Sequence, residues 1–460
     1  MKKLLLSVSM LFCGAALFAQ FNTSSVNSTG NLNQSNVLQA GSTNGSTVDQ
    51  VGNRNDSDVD QIGDFNSNDV DQLGNRNEGD VLQTGDFNSA SIHQGFGAGA
   101  SENDRNRASV SQNGNFNDGH IDQYGDAGGS DRNRSAILQD GDANIAYNNQ
   151  VGDRNRSAQD QIGDNNITTV FQDGDRNRSN ADQTGDFNQS YTDQSGDDNR
   201  SRMRQNGDFN FASELQDGDR NRSNVRQVGD ANLSISDQLG DDNRTRVIQR
   251  GNNNDSDMDQ VGNDNFSDIV QRGNINESDM TQIGNSNVNY TIQRRNNNDS
   301  DVFQVGDFNF SDTRQRGNNN IANESQIGNS NTSQVHQGFT GAANNDNNDA
   351  SISQVGDLNN AHIDQYGDAG GSDNNNSDIV QNGNNNNAYN SQAGDDNTST
   401  QDQTGDLNNS NTFQTGDMHL STADQVGDLN NSFVNQNGNN HISDVDQNGN
   451  SNNSNVNQSN

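Results

Sequence analysis

The chain has 460 residues, 26% of them hydrophobic and 5% aromatic, with 26 Lys plus Arg against 64 Asp plus Glu, so its formal charge is −38; Pro and Trp are absent and Cys occurs once. So little apolar material beside so much charge excludes an ordinary globular enzyme core and places the composition among disordered chains. The acidity also argues against nucleic acid and anionic membrane surfaces as partners, because their phosphates repel it.

The first element in chain order is a predicted export signal. Lys2 and Lys3 precede a run of apolar or small residues from Leu4 to Phe18, ending at Ala19. This is the layout of a secretory signal and is too short for a membrane span. Residues 1–19 are read as a signal peptide cleaved after Ala19, and Phe12 before Cys13 argues against a lipid attachment site. Cleavage removes both lysines and the cysteine, moving the charge from −38 to −40 and leaving no disulfide to hold the exported chain. Residues 20–32 follow as a short segment with one degenerate repeat around Ser28 and Gly30.

From residue 33 to 458 the sequence keeps an eleven-residue beat, and a fixed period decides the architecture. Gln50, Gln61, Gln72 and Gln83 belong to a register, opening at Gln39, that 37 glutamines share, and Gly stands two places after 33 of them, as at Gly52, Gly63, Gly74 and Gly85. Asn usually stands five places after, as at Asn55, Asn66, Asn77 and Asn88. In Asn55–Gln61, alternation puts Asn55, Ser57, Val59 and Gln61 on one face and Asp56, Asp58 and Asp60 on the other. Three carboxylates without partners cannot be the buried set, so the motif residues point inward. Ile62 to Phe65 then form a turn in which Gly63 supplies positive φ.

Arg134, Arg156, Arg178, Arg200, Arg222 and Arg244 recur at every second beat, one place after the motif Asn, and are expected to form a charge ladder at the turns. A feature that repeats on every second strand implies two strands per rung. The predicted fold is all-β: a two-sheet β-solenoid of about 18 rungs, about 22 residues per rung, cross-β on assembly, with rungs about 4.8 Å apart. Inward Gln and Asn would stack as amide ladders, Val and Ile fill a thin core, and Asn148, Gln159 and Glu214 mark its weakest rungs.

Q-x-G, Asn five places after Gln, a small residue two places later and another Gln after eleven resemble the curlin repeat over nearly all of residues 33–458, with Gln61, Gly63, Asn66 and Gln72 as one instance. The chain differs in placing Phe65, Arg76 or Phe87 where the family often has a second Gly before Asn, and in its large number of strands. The resemblance implies an exported subunit of curli, the extracellular amyloid fibres of bacteria that serve adhesion and biofilm matrix. By the same resemblance its partners are copies of itself, an outer-membrane secretion pore and a nucleating subunit. A minor or nucleating subunit, or a monomeric adhesin displaying loops, are the alternatives.

Four places break the beat, with inserts expected near residues 95–101, 126–130, 338–343 and 368–372; the segments 120–131 and 362–373 are identical, which points to an internal duplication. Outward acids such as Asp58 and Asp80, or Asp257 and Asp279, would stack as like charges and delay self-association. No capping helix, Pro or charge cluster follows the strand Asn452 to Gln458, so its edge is expected to template another copy. The histidines are not expected to form a site. His93, His120, His336 and His362 fall at outward positions of separate rungs, and His419 and His441 replace the inward Asn. A thin solenoid offers no catalytic pocket, and the eleven-residue period differs from that of calcium-binding β-rolls, so no catalysis, cofactor or metal is expected.

Overall fold

The computed structural model describes residues 21–95, 105–125, 132–338, 345–366 and 373–459. The signal segment lies outside these residues, as do the inserts expected near 126–130 and 368–372. Of the inserts expected near 95–101 and 338–343, only Gly95 and Gly338 are described; each donates its backbone N–H to the next rung, Gly95 to Gln123 O at 2.8 Å and Gly338 to Gln365 O at 2.9 Å. Among the described residues there is no helix, hence none long and apolar enough to cross a membrane.

The described chain is a β-solenoid. Strands of mostly seven residues alternate between two parallel sheets of 19 full strands each, giving about 19 turns that each take two beats of the sequence. Register follows the predicted period: Asp56–Ile62 pairs in parallel with Glu78–Thr84, so that Gln61 faces Gln83 and Val59 faces Val81. One strand more than the glutamine register predicts is present, because the degenerate segment around Ser28 forms Thr23–Thr29. The alternation also holds, since Asp56–Ile62 buries Ser57, Val59 and Gln61 and leaves Asp56 and Asp58 exposed.

The chain divides into two compact units, Met1–Arg220 and Asn221–Asn460. In the first, the described strands run from Thr23–Thr29 to Phe211–Asp217, and Val48, Val59, Val70, Val81, Ile92, Val110, Ile121 and Ile137 join in one apolar cluster between the sheets. In the second, they run from Arg222–Val228 to Asn453–Ser459, with apolar clusters around Val335, Ile352, Ile363 and Ile379 and around Ala423, Val434 and Val445.

Each corner is built by two backbone conformations in sequence. Gly63 has φ 123°, a region closed to side chains, and a Cβ there would lie 2.0 Å from Gly85 O of the next rung. Two residues on, Phe65 has φ 60°, as Arg54 (62°), Arg76 (65°) and Phe87 (59°) do at their corners. These left-handed positions are where a second Gly would be unstrained, so the substitution by Phe or Arg leaves the turn geometry in place at a cost of about 1–2 kcal/mol each. Stacking offsets part of it: the Phe65 and Phe87 rings lie 4.7 Å apart at 3°, and Phe87 and Phe116 5.0 Å apart at 5°.

Candidate functional site

The expected Gln and Asn ladders form, and each does more than stack. Gln61 Nε2 donates to Gln83 Oε1 at 2.8 Å, continuing its column, and to Gly45 O at 3.0 Å, which ties its strand to the opposite sheet. Gln50 does the same toward Gln72 (2.9 Å) and Gln34 O (2.7 Å), Gln72 toward Gln94 (2.9 Å) and Asp56 O (2.9 Å), and Gln83 toward Gln112 (2.9 Å) and Ser67 O (3.0 Å). The Asn column works through the backbone. Asn55 Oδ1 accepts from Asn77 N at 3.0 Å while its Nδ2 reaches Gly74 O at 3.0 Å; Asn66 holds Asn88 N (3.0 Å) and Gly85 O (2.7 Å). Side-chain amides thus satisfy the turn carbonyls that a sheet ladder leaves over. The glycines complete the corner: Gly63 N donates to Ala40 O and Gly85 N to Ile62 O, both at 2.9 Å, and Gly52 and Gly74 adopt φ 125° and 108°.

The turn aspartate is a fourth ladder that the repeat unit did not reveal. Asp64 Oδ1 accepts Ser42 N at 2.7 Å, and Asp86 Oδ1 accepts Asp64 N at 2.7 Å. Asp175, Asp197 and Asp219 accept the N–H groups of Asp153, Asp175 and Asp197 at 2.8–2.9 Å in the same way. The signal was available in the frequency of Asp or Asn directly after Gly.

The predicted arginine ladder sits elsewhere than expected. Arg134, Arg156, Arg178 and Arg200 are in register, as are Arg222 and Arg244, but each is the exposed first residue of a strand and not a turn residue. The turn positions carry their own arginines. Arg76 at its corner, together with Arg105, Arg132 and the strand-opening Arg107 and Arg134, lines one shallow groove in the first unit, with Glu78 paired to Arg107 at 2.7 Å.

Outward acids stack as expected. Asp58 faces Asp80, and Asp257 faces Asp279, which faces Asp301. Burial, then the carboxylates of Asp301 and Glu277, push Asp279 up to about 6; Asp299 is pushed to about 6 by burial, Asp301 and Glu277.

The histidines correct the expectation. His93 and His120, on adjacent strands, converge on Asp122: His93 Nδ1 lies 2.9 Å from Oδ1 and His120 Nε2 2.9 Å from Oδ2. The Tyr147 hydroxyl donates to Oδ2 at 3.2 Å, and Ser91 Oγ lies 2.5 Å from His120 Nδ1. The arrangement recurs in the second unit, where His336 Nδ1 and His362 Nε2 lie 3.2 and 2.8 Å from Asp364 Oδ1 and Tyr389 donates to Oδ2 at 2.7 Å. Burial alone would raise both aspartates, yet their imidazole hydrogen bonds hold them well below the usual carboxylate range. His93 rises through its bond to Asp122. Burial would lower His336, but the carboxylates of Asp312 and Asp364 push it up to about 9. Tyr124 and Tyr389 go up to about 12, through burial first and the neighbouring aspartate second. Aligning the strands by their glutamines shows why these residues meet: His93 falls opposite Asp122, and His120 one outward step along. His419 and His441 do take the place of the inward Asn, with rings stacked at 5.3 Å and Asn397 Oδ1 accepting His419 N at 3.1 Å.

No curated protein sequence matches the chain. Four stretches, residues 74–101, 218–251, 240–273 and 346–369, match the curlin associated repeat. Each contains the Gln, Gly and Asn whose side chains and backbone build the ladders, as Gln83, Gly85 and Asn88 do in the first. Ladder geometry and matched motif therefore fall on the same stretches, and over these four the chain is similar to the curlin associated repeat.

Proposed function

We propose that the chain is a secreted structural subunit of curli-like extracellular amyloid fibres, polymerising end to end and supporting cell adhesion and biofilm matrix. The supporting observation is the state of its edge strands. Thr23–Thr29 is exposed along its whole length, with Val26 49% accessible, and pairs with Gly45–Asn53 on one side. In Asn453–Ser459 the inward set Ser454, Val456 and Gln458 is half-exposed, where interior strands bury the same positions. Asn453–Ser459 carries the repeat's own pattern and Thr23–Thr29 a degenerate form of it, with Ser28 at the Gln position, so a second copy covers both edges in register and breaks the amide column only at Ser28. The four stretches similar to the curlin associated repeat support an extracellular location, with an outer-membrane secretion pore and a nucleating subunit as further partners.

Sedimentation and fibre diffraction of the purified mature chain test this. The expected result is sedimenting fibres with one reflection at about 4.8 Å and another at about 10 Å. A persistent monomer with β circular dichroism overturns it. The stacked acids add a rate: growth is expected to rise with ionic strength as salt screens Asp257, Asp279 and Asp301. A flat salt response removes the gatekeeping role without removing the polymer.

A further inference from the structure

Two outer-face clusters play no part in the ladders. We propose that each binds one transition-metal dication of the Zn2+ type, through His93, His120 and Asp122 in the first unit and His336, His362 and Asp364 in the second.

In each cluster one donor atom per residue, two imidazole nitrogens and a carboxylate oxygen, lies within 4.8 Å of the others. Bonds of about 2.0–2.2 Å around a tetrahedral ion need donors roughly 3–4 Å apart, so a small rotation of the rings suffices. Mixed nitrogen and oxygen donors suit Zn2+, Co2+ or Ni2+, whereas Ca2+ and Mg2+ take oxygen. Asp122 and Asp364 are each 6% exposed and held on one oxygen by Tyr147 or Tyr389, which fixes the carboxylate's orientation. The imidazoles stay 15–29% accessible, leaving room for water or an outside ligand to complete the shell.

A purely structural reading has to explain the choice of residue. The same outward columns continue as Tyr147, Phe171 and Tyr191 and as Tyr389, Phe413 and Phe433, where rings alone suffice. Among the described residues, only at the two cluster positions are imidazoles set against a nearly buried carboxylate. The duplication separates what is kept from what drifts: two histidines, the aspartate and the tyrosine recur, while the position facing His93 in the preceding strand is Asp71 and that facing His336 is Arg314. That difference also ranks the sites. Asp69 and Asp71 crowd His93, whereas the Arg314 guanidinium, 2.7 Å from Asp312, lies beside His336, so the first site binds a dication more tightly.

The test is equilibrium dialysis of the full chain against Zn2+ with Ca2+ and Mg2+ in large excess to occupy the diffuse acid faces. The expected result is two Zn2+ per chain, one lost in His120→Gln, one lost in His362→Gln and none lost in His441→Gln. Co2+ in place of Zn2+ should give visible bands that halve in each single variant. Should either variant fail to give the parent's β circular dichroism, the unmodified chain decides: Zn2+ should protect His93, His120, His336 and His362 from diethyl pyrocarbonate and leave His441 reactive. A stoichiometry that ignores H120Q and H362Q, the absence of Zn2+ above the Ca2+ background, or equal modification of all five histidines overturns the proposal.

Discussion

Within the first unit, the strands from Val48 to Ile137 and those from Asn148 to Glu214 share the Gln and Asn ladders and differ most at one inward position. In the first stretch that position is always Val or Ile, and the side chains form one continuous dry cluster. In the second, Asn148, Gln159, Thr192 and Glu214 interrupt Val170, Ala181 and Met203. The amide columns barely register the change: Gln50 to Gln72 and Gln61 to Gln83 span 2.9 and 2.8 Å, and Gln150 to Gln172 and Gln161 to Gln183 span 2.8 and 3.0 Å. The polar fillers find local donors and acceptors across the core, Asn148 with Ser135, Gln159 with Tyr147 O at 2.8 Å, and Thr192 with Ser201 at 3.1 Å. The corners and amide columns therefore specify the fold, and the apolar filling adds stability without choosing the register.

The strongest way to break that conclusion is at the corners. A Cβ on Gly63, in the dry stretch, would lie 2.0 Å from Gly85 O, and one on Gly163, in the wet stretch, 2.3 Å from Gly185 O, both at positive φ. Gly63→Ala and Gly163→Ala should each cost more than about 3 kcal/mol and do so equally, read as denaturant midpoints. A mild Gly163→Ala would mean that the wet stretch does not depend on its corners. Next in size are the columns. Gln72→Ala strands the amides of Gln50 and Gln94, and Gln172→Ala those of Gln150 and Gln194, so each should cost about 3 kcal/mol from unsatisfied buried groups. A difference between them of more than about 1 kcal/mol, the net worth of one hydrogen bond, would show that apolar filling supports the ladder after all.

The filling position itself should answer with opposite signs. Val70→Asn places an amide among Val and Ile and should destabilise by about 2–3 kcal/mol. Gln159 Oε1 has no hydrogen-bond partner among the described residues, so Gln159→Leu, close in volume, should stabilise by about 1 kcal/mol. Thermal melts of the two variants check both, and a loss in Gln159→Leu would show that the wet stretch is specified by its polar residues.

The parts of the molecule legible in sequence are those the repeat imposes in every rung. Gln61, Gly63 and Asn66 disclosed period, face and turn because position alone fixes their partners. What stayed hidden depends on contacts between rungs that are not repeat positions of each other. His93 and His120 stand on either side of an interruption of the beat, and their meeting point, Asp122, lies one outward step from His120 on the same strand. For the arginines the sequence carries the period but not the place, because whether the residue after Asn belongs to turn or strand is settled by its own backbone N–H, which Arg156 donates to Asn177 O of the next rung at 2.8 Å, a bond invisible in composition.

The smallest expected effect concerns the outer face, where the two stretches ought not to differ. Asp71 and Asp80 in the dry stretch and Asp160 and Asp193 in the wet one are all raised above the ordinary 3.8, burial being the first cause in each. A carboxyl raised on folding contributes stability that is present below its unfolded value and lost as pH rises through its folded value. Going from pH 7.5 to 5 should therefore raise amide protection, measured relative to the base-catalysed intrinsic exchange rate at each pH, slightly and alike in both stretches. His93, raised by Asp122, acts in the same direction over that window, because its ion pair is lost only as pH rises. In the second unit the gain should be larger around Glu277–Ile283 and Asp299–Val305, where Asp279 and Asp299 reach about 6 and most of their protonation falls inside the window. Protection that rises in the wet stretch alone would place the relevant protons in its core and not on its surface, and would make the filling residues, not the outer acids, the pH-sensitive part of the solenoid.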